Sequence, residues 1–437
     1  MVFGTALSGI QAASKDLDVI GNNIANAPTI GFKSSRAEFA DVYATGTYGG
    51  GGNAVGSGVR LARVQQNFGQ GNFTFTNNSL DLAVSGSGFF VLNDQGSRLY
   101  TRAGSFGLDN EGFIVNSFNQ NLTGLLADAS GNITSVSGNL QVNTANISPN
   151  ATSTVTSGVN LYANATAPTV DWTGGATPAQ DTYNNATSTT IYDSLGNSHV
   201  LSMYFIHADS TAVLGDPNAS TPPGTQNQWY IAFQLDNQNL PANGGPHNTD
   251  NLFRVNFNSD GSFNTALDTA NNPLANNLIP LSMTLANGAD PLNFNVDFSN
   301  STQFGSPFAV QSNVQNGYTT GRLDGLDIDE EGILFGRYTN GQSRVMGQIQ
   351  LANFANPDGL QSMGNTNWAE TSASGQALVS NPGTASLGLI QSGALEESNV
   401  DLTGELVNLI GAQRDFQANA QTIRTADAVT QTIINIR

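Results

Sequence analysis

Apolar residues near the N-terminus recur in steps of four and three. Phe3, Leu7, Ile10, Ser14, Leu17, Gly21 and Ile24 form one stripe, a heptad seam that predicts an amphipathic helix over 3–24. Asn26, Pro28 and Gly31 end it. The C-terminus answers with Leu402, Leu406, Leu409, Gln413, Phe416, Ala420 and Ile423, and the stripe then drifts to Ala426, Val429, Ile433 and Ile436. Ser398, Asn399 or Asp401 can cap this second helix. Glu405 stands in its first turns, where the helix dipole favours negative charge. Neither helix has a core of its own to rest on, and a lone helix in water is marginal because nucleation is costly. Two readings follow: the helices pair within one molecule, or they order when several copies pack. Ala412, Ala418, Ala420, Ala426 and Ala428 favour the second, since small side chains admit neighbours on more than one face. The residues expected to carry assembly are Leu7, Ile10, Leu17 and Ile24, with Leu406, Leu409, Phe416, Ala420 and Ile423.

Between the ends the period shortens to two. Strand-like runs appear at 73–76, 80–84, 89–92 and 113–115, and again at 189–192, 200–205, 229–234 and 252–257. Hairpin signals recur as an Asp, two residues, a Gly and an apolar residue, at Asp109–Phe113, Asp128–Ile133 and Asp329–Ile333. The expected class is mainly β with α-helical termini paired as a coiled coil. The expected nesting joins 1–30 to 395–437 as a helical assembly domain and 31–70 to 366–394 as a linker region. An inner β domain, 71–144 plus 311–365, is interrupted by an inserted outer β domain, 145–310. Hinge candidates are Pro28 and the glycine run Gly49, Gly50, Gly51 and Gly52.

Charge changes the picture. The net charge is −19, and −18 of it falls between the two terminal helices. Near-neutral ends suit packing, and an acidic middle suits water. With 14 Lys and Arg residues, neither a phosphate backbone nor an anionic membrane finds enough basic partners. There is no cysteine, so disulfides and thiolate metal sites are excluded. No apolar run reaches the roughly 18–20 residues of a membrane span. The N-terminus lacks the basic and apolar regions of a cleaved signal peptide.

Catalytic motifs are missing. His199, His207 and His247 lie outside any H-E-x-x-H pattern, and there is no G-x-S-x-G elbow or phosphate-binding G-x-x-x-x-G-K-[ST] loop. The run Asp327–Gly332 imitates the start of an EF-hand loop, but its twelfth position is Tyr338 and not a bidentate Glu, so a β-turn is expected. No catalytic residue, cofactor or metal site is assigned.

Several long blocks carry a resemblance. NNIANAPTIGFK (22–33) is similar to the N-terminal signature of the flagellar rod and hook axial proteins, with Pro28 where that family usually has Asn. TFTNNSLDLAVSGSGFFVL (74–92), YTRAGSFGLDNEGFIVN (100–116) and the stretch 398–436 resemble its further blocks. The segments 190–206 and 317–360 resemble hook members, and rod members generally lack so long an insertion as 145–310. The resemblance implies a non-enzymatic subunit that polymerises into a curved hollow tube, a universal joint passing motor torque to the filament. It implies unfolded export by the flagellar type III apparatus and a place outside the cell. The implied partners are other copies of the chain, the rod, a cap protein during growth, and hook–filament junction proteins. A rod subunit and a secreted β-rich adhesin or glycosidase are the alternatives.

Overall fold

The computed structural model describes residues 2–42, 56–170, 172, 177–207, 227–240, 252–268, 272–384 and 386–435. The chain is mainly β, with one long helix at each end. It divides into two compact units. The first comprises Met1–Thr144, Asp324–Arg337 and Ser343–Arg437, and the second Ala145–Leu323 and Tyr338–Gln342.

In the first unit, helix α1 spans Val2–Ala25 and helix α2 spans Leu402–Asn435. At about 1.5 Å per residue, α2 is roughly 50 Å long. Its N-cap is Asp401, whose carboxylate accepts the Thr403 N–H at 3.1 Å. Between the helices in sequence lie the strands of a 13-stranded sheet. Its aromatic core packs edge to face: Phe68 and Phe354 against Phe89, Phe68 and Phe89 against Trp368, and Phe354 against Tyr100. Just before α2 the chain returns to the start of the unit. Strand Leu389–Ser392 pairs with Leu82–Ser85, and strand Ala394–Glu396 pairs with Phe73–Phe75. A separate hairpin joins Ser35–Asp41 to Val59–Gln66.

The second unit is a sandwich. One sheet centres on strand Thr154–Tyr162, which pairs parallel with Leu292–Asp297 and Thr302–Phe304 and antiparallel with Ala309–Gln315. The other orders Asn185–Tyr192, Ser198–His207, Gln228–Leu235, Leu252–Phe257 and Phe263–Leu267. Alternate residues point inward: Leu201, Met203 and Phe205 meet Val155, Val159 and Leu161 in one core. Strand Gln228–Leu235 is buried on both faces. Trp229, Ile231 and Phe233 enter that core, while Tyr230 and Ala232 pack with Trp172 and Leu252 on the other side. This accounts for its unbroken apolar run, WYIAF. At the foot of the unit, Ile147 bridges Gly321 and Asn150 bridges Tyr318, so the entering and leaving segments run side by side.

The Asp-x-x-Gly segments form turns built alike. At Asp109, the carboxylate accepts the Glu111 and Phe113 N–H groups at 2.9 and 2.8 Å, and Gly112 takes φ +85°. Asp128 and Asp193 repeat the arrangement, with Gly131 and Gly196 at +84° and +83°. At Asp193 the side chain is fully buried and also accepts Nδ2 of Asn197 and of Asn287. His199 sits between two carboxylates, with Nδ1 2.6 Å from Asp236 and Nε2 3.4 Å from Asp193.

Two opposed titrations result. Burial raises the Asp193 carboxyl, but the bonds from Asn197, Asn287 and His199 outweigh it and hold the group well below 3.8. Burial lowers the His199 imidazole, but Asp236 and Asp193 outweigh it and hold the ring above 6.5. The histidine's contribution is complete below its ordinary value and is lost as pH rises through the raised one; the aspartate's is lost as pH falls through the depressed one. Thermal unfolding of the second unit, followed by the buried Trp229, should show its midpoint falling as pH rises from 6.5 into the alkaline range. In a His199→Asn variant that fall should disappear.

Candidate assembly surface

The root of the terminal helices is an ionic cluster inside the first unit. Lys33 Nζ lies 2.6 Å from Glu396 Oε1, and both side chains are 0% exposed. Arg102 Nη1 lies 3.2 Å from the other oxygen, Oε2. Most of the remaining polar atoms are used nearby, and Arg102 Nε is buried without a hydrogen-bond partner. Gly71 N–H donates to Oε1, Lys33 donates to the Gly69 carbonyl, and Arg102 donates to the carbonyls of Val84 and Gly86. The guanidinium also lies over the Phe89 ring. Burial lowers the pKa of both Lys33 and Arg102, and Glu396 opposes that in each case. Two cations held by one carboxylate tolerate burial only because carbonyl oxygens share the excess positive charge.

From this root α1 and α2 run antiparallel. Asn23 Nδ2 donates to Glu405 Oε1 at 3.0 Å, and a Cβ added to Gly9 would stand 2.4 Å from Asn419 Oδ1. These two contacts are 14 residues apart on each helix, two heptads, as the coiled-coil period requires. What the pair buries is small: Ala6, Ala13 and Ile20 on α1 and Ala412 on α2. Burial, with Asp415 facing it across the pair, pushes the Asp16 carboxyl up.

The residues singled out from the sequence divide. Ile10, Leu17 and Ile24 on α1, and Leu409, Ala420 and Ile423 on α2, are half-buried. Leu7, Leu406 and Phe416 are exposed, at 51%, 45% and 38%. Phe3, Leu402, Val407 and Ile410 join this outward set, as do Val429, Ile433 and Ile434 near the end of α2. The buried face of α1 thus lies one position before the stripe of large side chains. Sequence periodicity found the helices, but it followed bulk, while the intramolecular contact uses the small residues that allow close approach.

Pro28 lies in a turn bonded on both sides: Thr29 N–H reaches Asn26 O, and Gly31 N–H reaches Glu396 O. Gly49, Gly50, Gly51 and Gly52 lie outside the described residues. In the EF-hand-like run, Asp329 accepts the Ile333 N–H of its own turn, and Asp327 pairs with Arg337 at 2.9 Å. Among the described residues no three His, Asp or Glu side chains gather as a metal site would need, and no helix is long and apolar enough to cross a membrane. Lys33, Arg102 and Glu396 escaped sequence reasoning. Their one visible signal is that Lys33 is one of only two lysines in the chain.

Comparison with known proteins agrees with this architecture. The chain is 39% identical to the flagellar hook protein FlgE of Escherichia coli, over the whole of both chains. The chain belongs to the flagellar hook protein family. The hook protein of Treponema pallidum is 32% identical, over 99% of this chain and 98% of its own. Four family models match parts of the sequence. The flagella basal body rod protein model matches 3–33, the flagellar hook protein FlgE/F/G D1 domain 83–175, the FlaE D2 domain 160–318, and the rod FlgEFG C-terminal model 391–436. Among solved structures, the Helicobacter pylori hook protein FlgE2 shares the fold. Its TM-score is 0.50 at 13% identity, covering 73% of this chain and 99% of that one. Hook family membership and the paired terminal helices give the chain a structural role in the flagellum, and its two terminal helices match the models shared with rod proteins.

Removing one partner from a buried ion pair costs about 3–5 kcal/mol. Glu396→Gln strands two cations and should reach that range in chemical denaturation. Lys33→Met leaves Glu396 with Arg102 and should cost less. The reverse order would show that the carboxylate is not the hub.

Proposed function

We propose that the chain is the hook subunit of a bacterial flagellum, polymerising through its terminal helices into a curved hollow tube that serves as a universal joint. One observation carries the reading. The helix pair buries mainly alanines against itself and leaves Phe3, Leu7, Leu406, Val407, Ile410 and Phe416 exposed. A monomer has no use for so much apolar surface on two helices, whereas a packed ring of neighbours buries it. Because α2 runs past the start of α1, its last turns offer Val429, Ile433 and Ile434 to another copy. Contacts of this head-to-tail kind build a helix when the rotation from copy to copy does not close on itself.

In this reading the helices form the inner wall and hold the polymer together. The β units lie outside, where acidic, hydrated surfaces meet and part at small cost as the tube turns. The rod, a cap protein, junction proteins and the type III export apparatus are the partners this function requires, and the assembled tube stands outside the cell. Export in an unfolded state suits a chain without cysteine.

Negative-stain microscopy of sedimented chain is the test. The parent should give short curved tubes. Deletion of 399–437, or the pair Leu406→Gln and Ile410→Gln, should abolish sedimentation while the thermal transition of the β units is retained. Tubes that persist in the double variant would remove the helices from the assembly contact.

A further inference from the structure

Three consecutive backbone positions, Lys33, Ser34 and Ser35, leave the turn after α1 and enter the hairpin. Each is gripped by a different side chain. Glu396 holds the Lys33 ammonium, as described. Asn399, three residues before α2, accepts the Ser34 N–H on Oδ1 at 2.8 Å. Its Nδ2 donates to the carbonyls of Asn67 and Gly69 at 2.8 and 3.0 Å. Asn23, in the last turns of α1, is 1% exposed. Its Oδ1 accepts the Ser35 N–H at 2.9 Å, and its Nδ2 donates to the Ser35 carbonyl at 2.7 Å and to Glu405 on α2. One asparagine therefore roots each helix onto the same short strand.

The chemistry demanded is narrow. Each position needs an acceptor and a donor on one short side chain, about two bonds from the backbone, and an amide is the group that supplies both. Aspartate at 23 would lose the donor and set a second carboxylate against Glu405. The amides carry no charge, so their bonds to the Ser34 and Ser35 backbone do not themselves titrate. Asn23 is buried and Asn399 half-buried, so losing either side chain takes a fixed partner from the Ser34 or Ser35 amide.

We propose that Asn23 and Asn399 are positioning residues: together they fix the direction in which the helix pair leaves the β body of the first unit. The role rests on the assembly reading above for its purpose, since a tube that bends needs some joints held stiff so that the strain falls elsewhere. The geometry itself stands within one chain.

The absence of native cysteine makes the test direct. Cysteines replacing Val136 on the β body and Asn408 on α2, both exposed and neither among the apolar assembly residues, carry spin labels in the otherwise intact full chain. The distance distribution is measured free in solution and in labelled copies diluted into sedimented assemblies, in whichever state the parent's far-ultraviolet helix signal is complete. The parent should give one narrow distance. Asn23→Ala and Asn399→Ala should each at least double its width with the helix signal retained, and Asn23→Asp should do the same. Widths equal to the parent's in both alanine variants, whatever their Tm, overturn the proposal and make the asparagines mere stabilisers. Whether the parent forms curved tubes is scored separately and judges the assembly reading alone.

Discussion

One buried carboxylate organises the first unit. Glu396 gathers Lys33 from the segment after α1 and Arg102 from the β body, and it lies six residues before α2 begins. Two stretches 69 residues apart and a third 294 residues further on are thereby brought together at one point. In a low-dielectric interior the alternative is a stranded cation, which is why the meeting is obligatory. The neighbouring contacts agree with this constraint: strand Ala394–Glu396 pairs with Phe73–Phe75, the Gly31 N–H reaches the Glu396 carbonyl, and α1 ends where α2 begins.

The two units obtain stability by different means. The second is an ordinary sandwich, whose core is continuous and whose strands alternate in and out. The helix pair of the first unit has almost no apolar core, and polar contacts at its root hold it instead. A weak seam with a firm root leaves the large side chains of both helices exposed. The same division explains the charge pattern, with nearly neutral ends and acid in the middle.

Much of this was legible in the sequence. The heptads at both ends gave the helices, and the Asp-x-x-Gly turns at Asp109, Asp128 and Asp329 were visible because each turn is made by its own side chain, within four residues. Alternation at 200–205 and 252–257 marked strands of the sandwich. What stayed hidden depends on distance in space. Nothing in a single sequence links Lys33 to Glu396, or Asn23 to Ser35 and Glu405, because each looks like any polar residue near a helix end. The face of α1 was displaced for a related reason. Periodicity weighs large side chains, and Ala6 and Ala13 matter here for being small.

The paired segments at the foot of the second unit have a different consequence. Ile147 and Asn150 run beside Gly321 and Tyr318, so the chain comes back to where it set out. A stretch that starts and finishes at one doorway makes no demand on the rest of the molecule for its length or its content. Residues added or removed between those two pairings would leave the strands on either side of them where they are.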